Sequence, residues 1–166
     1  MEKLIIKSTV DHEPKYDDVI RQGWLSAYSH IFGADKINQK FDNRMNDHEY
    51  HQNQLNEINT TDNYFSIMLN DELVGIMTVL DCENYLEITR LYIHPSMQRH
   101  GFGSIAFEHA KQIAKNRGFN KIKLEALKEN HIGCSFYKKH GGIVTNTETK
   151  QLCDTTVELL TFEYDI

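Results

Sequence analysis

Residues 85–93, Tyr-Leu-Glu-Ile-Thr-Arg-Leu-Tyr-Ile, read as a strand, yet their apolar side chains sit at even positions first (Leu86, Ile88) and at odd positions afterwards (Leu91, Ile93). Side chains alternate strictly along a strand, so a change of parity requires either burial on both faces or an inserted residue near Thr89-Arg90. The bulge is the expectation. A bent strand parts from its neighbour and leaves backbone N–H and C=O groups open to a ligand.

Around this strand the 166 residues show no internal repeat, low-complexity tract or linker, and read as a single domain spanning residues 1–166. Lys3–Ser8 is a short strand, and Ile20, Trp24, Ala27, Tyr28 and Ile31 form the stripe of a helix over residues 16–32. A more polar helix is expected from Asp35 to about Ile58. Strands follow at Tyr64–Leu69, Leu73–Leu80 and Tyr85–Ile93, joined by tight polar turns. A helix is predicted from about Phe102 to Arg117, then a strand at Lys121–Ala126 and a helix from Asn130 to about His140. Strands near Ile143–Thr147 and Val157–Tyr164 close the chain. The fold class is mixed α/β with mostly antiparallel strands.

Residues 1–94 carry 8 Lys+Arg against 16 Asp+Glu, and residues 95–166 carry 10 against 8. An acidic chain lacks the clustered cations that nucleic acid requires, so no nucleic-acid partner is expected. The asymmetry suggests a cationic or neutral ligand for the N-terminal half and an anionic one for the C-terminal half. The longest apolar run, Leu73–Leu80, is too short to span a bilayer, and Met1-Glu2-Lys3 does not open like a secretory leader. Cys82, Cys134 and Cys153 are odd in number and lack C-x-x-C spacing, which fits a reduced cytoplasm without disulfides or zinc. His48 and His51 lack the H-E-x-x-H spacing, so no metal is expected there.

The run Gln98-Arg99-His100-Gly101-Phe102-Gly103-Ser104 is a glycine-bearing loop that feeds a helix. Glycine lets backbone approach a ligand closely, and free amides at a helix start attract anions. A tight turn that only needs positive φ would look the same. The dinucleotide pattern G-x-G-x-x-A also fits Gly101–Ala106, but Pro95 ends the strand too early for it. Asn130 and Tyr137 lie seven residues apart, close to two turns, and so share a helix face.

Taken together, Glu87–Pro95, Gln98-x-x-Gly101-x-Gly103 and Asn130 with Phe136–Gly141 resemble the GNAT superfamily of N-acetyltransferases, most closely over residues 64–145. The resemblance implies a central, mostly antiparallel sheet with splayed middle strands flanked by helices, and acetyl-CoA bound as co-substrate, without metal, between Glu87–Ile93 and Lys121–Ala126. It implies pantetheine held by the backbone of Leu91, Tyr92 and Ile93 and by Asn130. The diphosphate would lie on the loop of Gln98, Arg99, His100, Gly101, Phe102, Gly103 and Ser104.

For the reaction, the resemblance implies Tyr137 as general acid and Glu87 as general base, although Glu87 reads equally well as a carboxylate paired with Arg90. The acceptor, a small amine, polyamine or peptide amine, would meet Trp24 and Tyr28. A homodimer is compatible with the likeness. Three positions depart from the family pattern: Gly142 replaces a usual Phe, Gly133 a frequent Ala and His140 a common apolar residue. The alternatives are a non-catalytic acyl-CoA-binding module and an NAD(P)-binding oxidoreductase.

Overall fold

The computed structural model describes residues 2–166, so Met1 of the leader reading lies outside it. The elements run β1 (Lys3–Lys7), α1 (Glu13–Phe32), α2 (Ala34–Met45), α3 (His48–Thr60), β2 (Tyr64–Leu69), β3 (Glu72–Asp81), β4 (Leu86–Ile93), α4 (Phe102–Asn116), β5 (Lys121–Leu127), α5 (His131–Lys139), β6 (Ile143–Leu152) and β7 (Thr155–Asp165). The strands form one sheet in the order β1-β2-β3-β4-β5-β7-β6. Every neighbouring pair is antiparallel except β4 and β5. The expected mixed α/β architecture is therefore present.

The change of parity in β4 has the expected cause. Pairing with β3 passes from Thr78↔Arg90 to Val79↔Ile88, which leaves Thr89 as the inserted residue. The Thr89 hydroxyl lies 2.6 Å from that of Thr78, so the insertion is held by a polar contact between neighbouring strands. Leu86 and Ile88 before the bulge, and Leu91 and Ile93 after it, then pack into one core against α4 and α5. Tyr92 turns to the second core, built from α1, α2 and α3 on the opposite face.

Beyond the bulge, β4 approaches β3 closely. A Cβ at Gly75 would stand 2.6 Å from the Tyr92 carbonyl oxygen and 2.8 Å from Ile93 Cδ1. Only glycine allows the two backbones to close to this distance.

Two elements differ from the sequence reading. The long helix expected over residues 35–58 is two helices. The carboxylate of Asp47 accepts from the Tyr50 amide at 3.0 Å and starts a new helix where sparse apolar spacing suggested continuation. The final strands are longer than expected and form a hairpin, turned at Cys153 and Asp154 with φ of 48° and 60°. These residues carry no glycine to announce a left-handed turn.

Helices α1 and α3 meet through buried polar groups. Glu13, buried in the first turn of α1, accepts from Gln54 Nε2 at 2.9 Å and faces His51 Nδ1 at 2.6 Å. Gln54 Oε1 in turn accepts from Arg90 Nη1 of β4 at 2.8 Å. The hydrogen bond to Glu13 raises the His51 pKa above the usual imidazole value, and burial opposes it only in part.

We expect Gly75→Ala to destabilise the fold by about 1–3 kcal/mol through overpacking against β4. Urea denaturation should show a lower midpoint; an unchanged midpoint would mean the strands are not this close. His51 should contribute stability that is complete below its unfolded pKa of about 6.5 and is lost as pH rises through its raised folded value. His12 and His109, whose pKa values burial lowers, act on the acid side of this window. Unfolding curves at successive pH values should therefore show an alkaline decline that is absent in His51→Gln.

Candidate functional site

The parallel register of β4 with β5 covers only Leu86–Ile88 against Ile122–Leu124. Leu91, Tyr92 and Ile93 lie past the bulge, paired with β3 on one side and with no strand on the other. A cleft of about 590 Å³ opens along them. At one end it is lined by Met97, Gln98, Arg99, Gly101, Gly103 and Ser104, and at the other by Asn130, Gly133, Phe136 and Tyr137. Gly23, Ser26, Ala27 and Tyr28 of α1 close a further side.

The loop end presents the unpaired amides of a helix start. Gly101 caps α4 in the left-handed region, with φ of 84°, and the first intrahelical bond runs from the Ile105 amide to its carbonyl. The amides of Phe102, Gly103 and Ser104 precede that bond and have no acceptor within the helix. Gln98 Nε2 reaches back to the Ile93 carbonyl at 3.4 Å, which ties the loop to the strand. A Cβ at Gly103 would press on the Phe136 ring at 3.2 Å, so this glycine sets the closeness of α4 and α5. The Phe102 ring is buried in the core under the Lys3 ammonium, and His100 is exposed. Neither side chain lines the cleft, although both belong to its loop.

At the other end the Asn130 carboxamide caps α5 by accepting from the Gly133 amide at 3.0 Å. A Cβ at residue 133 would lie 2.5 Å from Asn130 Nδ2, so the departure at Gly133 makes room for this cap. Gly142 has a similar explanation. A Cβ there would lie 2.7 Å from the Tyr164 hydroxyl, which donates to the Tyr137 carbonyl at 2.9 Å. Tyr164 of β7 thus occupies space beside Tyr137. Burial pushes the Tyr137 phenol well above the ordinary tyrosine range, so at neutral pH it holds its proton. Cys134 is also buried, with its thiol raised by burial and directed to the Leu127 carbonyl, the setting of an inert thiol.

Of the two aromatic residues expected at the acceptor side, one lines the cleft and the other does not. Tyr28 lines the cleft. Trp24 stands behind it, packed on Tyr28 with ring centroids 5.2 Å apart, and its Nε1 donates to the Tyr92 hydroxyl at 3.2 Å. Glu87 does not line the cleft. Its residue lies before the bulge, between Leu86 and Ile88 of the α4 core, which turns its side chain to the face carrying α1–α3. The Cys82 thiol approaches its carboxylate at 3.8 Å. Arg90 is engaged by Gln54 and by the Tyr50 hydroxyl at 3.3 Å, so it is not the partner of Glu87.

The sequence reading did not single out Gly23, Ser135 or Lys139 as cleft residues, and noted His140 only as a departure. A glycine inside a helix, at residue 23, was the available signal for close approach: a Cβ there would lie 3.3 Å from the Tyr92 ring. For His140 the signal was its spacing of three from Tyr137 on one helix face. Among the described residues no group of three or more His, Cys, Asp and Glu side chains could hold a metal. Among the described residues no helix is long and apolar enough to cross a membrane.

Residues 23–142 match the sequence model of the Acetyltransferase (GNAT) family. The spermidine N(1)-acetyltransferase of Thermoplasma acidophilum is 25% identical over 136 residues, covering 79% of this chain and 82% of that protein. The crystal structure of PaiA N-acetyltransferase from Thermoplasma acidophilum in complex with coenzyme A has the same fold. Its TM-score is 0.79 at 22% identity, with 99% of this chain and 100% of that chain covered. A GCN5-related N-acetyltransferase from Rhodopseudomonas palustris gives a TM-score of 0.77 at 12% identity, covering 100% and 97%.

Proposed function

The chain belongs to the GNAT acetyltransferase family, and from that premise we propose that its cleft takes acetyl-CoA as co-substrate and that the acetyl group passes directly to the nitrogen of an amine acceptor. The observation that carries this reading is the continuity of the cleft. It runs from the unpaired edge of Leu91–Ile93 to the free amides that start α4. A chain of amides fits an extended pantetheine arm, and the helix start fits a diphosphate. Acetyl-CoA supplies an activated thioester carbonyl; the residues supply position and protons.

On this reading the backbone of Leu91, Tyr92 and Ile93 and the side chain of Asn130 hold the pantetheine arm. The loop from Gln98 through Arg99, His100, Gly101, Phe102 and Gly103 to Ser104 holds the diphosphate. An amide at Leu91 or Tyr92 polarises the carbonyl. Tyr137 gives its proton to the departing sulfur, a role that its retained proton and its place on the cleft wall support. Acyl transfer to an alkylammonium first requires loss of a proton. Glu87 serves as base through intervening water, since its carboxylate lies back from the cleft wall.

The acceptor is a small amine, polyamine or peptide amine that approaches past Tyr28, with Trp24 behind it. The acidic N-terminal half supports a cationic acceptor, and so does the likeness to a spermidine acetyltransferase. A non-catalytic acyl-CoA-binding module would bind the same co-substrate without turnover.

Release of CoA thiol with a panel of polyamines, simple amines and peptides tests the reading. We expect turnover with cationic acceptors; binding of acetyl-CoA with no release for any amine would favour the non-catalytic module. Tyr137→Phe should lower kcat by about tenfold or more while acetyl-CoA affinity changes little. Glu87→Gln should lower kcat/KM by about tenfold or more. A Glu87→Gln variant with the kcat/KM of the unaltered protein would exclude the carboxylate as the base.

A further inference from the structure

His140 follows α5 and lines the cleft beside Ser104, the third residue of α4. Its Nδ1 lies 2.9 Å from the Phe136 carbonyl and its Nε2 3.1 Å from Ser104 Oγ. The ring is packed on Phe136 with centroids 4.2 Å apart and against Phe107 at 5.6 Å, which fixes its plane.

The hydrogen positions follow from chemistry. A carbonyl oxygen only accepts, so Nδ1 carries a hydrogen. In the neutral ring Nε2 is then a bare lone pair, and the Ser104 hydroxyl donates to it. The single proton of that hydroxyl is then committed to the ring and is not available to a ligand at the start of α4.

We propose that His140 makes phosphate binding at the start of α4 a proton-linked event. A proton taken up from solvent at Nε2 reverses the hydrogen bond, so that the ring donates to Ser104 Oγ. The hydroxyl is then free to donate to a phosphoryl oxygen, with a cation directly behind it. The proton returns to solvent when the ligand leaves, and no covalent bond changes. His140 is thus a positioning residue that acts through Ser104. This rests on reading the α4 start as the diphosphate site.

The charges around the ring come from several elements. Lys138 and Lys139 belong to α5, and Arg99 to the loop. On α4, Lys111 stands two turns beyond Ser104 over the Phe107 ring and is paired with Glu108 at 2.8 Å. Among the described residues His140 makes no ion pair of its own. The arriving diphosphate therefore brings the negative charge that favours an imidazolium, and by linkage the imidazolium tightens the diphosphate.

Calorimetry of the full chain with dephospho-CoA tests this, because that ligand keeps the diphosphate and lacks the ribose phosphate that titrates on its own. In two buffers of different ionisation enthalpy near about pH 7.5, binding should take up a substantial fraction of a proton. Between about pH 6.5 and about pH 8 the affinity should fall several-fold more than in His140→Phe, which keeps the ring packing and loses both nitrogens. The NMR titration of the His140 ring in the unaltered protein should move to higher pH when the ligand is bound. That measurement stands alone if the variant does not fold. Equal proton uptake in both proteins, or a ring titration that the ligand does not move, would overturn the inference and leave the cleft reading intact. A parent protein that binds neither CoA nor dephospho-CoA would overturn the cleft reading itself.

Discussion

A strand edge can satisfy one partner. Inserting Thr89 into β4 decides which partner each half of that strand takes: before the bulge its free edge pairs with β5, and after the bulge it does not. Unpaired amides and carbonyls inside a protein are costly unless something replaces the missing strand. Through this one insertion the sheet stays continuous at one end of the strand pair and becomes a ligand-sized opening at the other. The remaining features of the cleft are arranged around that opening.

Close approaches maintain its shape. Gly75 brings β3 to β4 at the segment left without a strand on its other edge, Gly23 lets α1 settle on Tyr92, and Gly103 lets α4 meet Phe136. Two family departures become intelligible in the same terms. Gly133 leaves room for the Asn130 cap, and Gly142 leaves room for Tyr164, whose hydroxyl holds the carbonyl of Tyr137. Small residues therefore carry specific geometry here, because a single methyl would press on backbone, an aromatic ring or a capping side chain.

The two faces of the sheet serve different chemistry. On the face of α4 and α5 lie the unpaired amides that start α4, the lysines of α5 and the protonated phenol of Tyr137. On the face of α1–α3 lie Glu13, Asp17 and Glu87 with the aromatic layer of Trp24, Tyr28, Phe32 and Phe41.

Local rules of alternation, spacing and backbone freedom made much of this legible in the sequence. The parity switch marked the bulge, the glycines marked the start of α4, and the spacing of Asn130 and Tyr137 marked one wall of the cleft. The break at Asp47 and the turn at Cys153-Asp154 escaped because an acidic cap inside a polar helix and a left-handed turn without glycine leave weak local traces. Contacts between residues far apart in the chain were decided by tertiary structure alone. It set Trp24 behind Tyr28, drew Arg90 to Gln54 and away from Glu87, withdrew Glu87 from the cleft wall and joined His140 to Ser104. Sequence periodicity says which face of its own element a side chain takes, and only the packing of elements says which side chain meets it there.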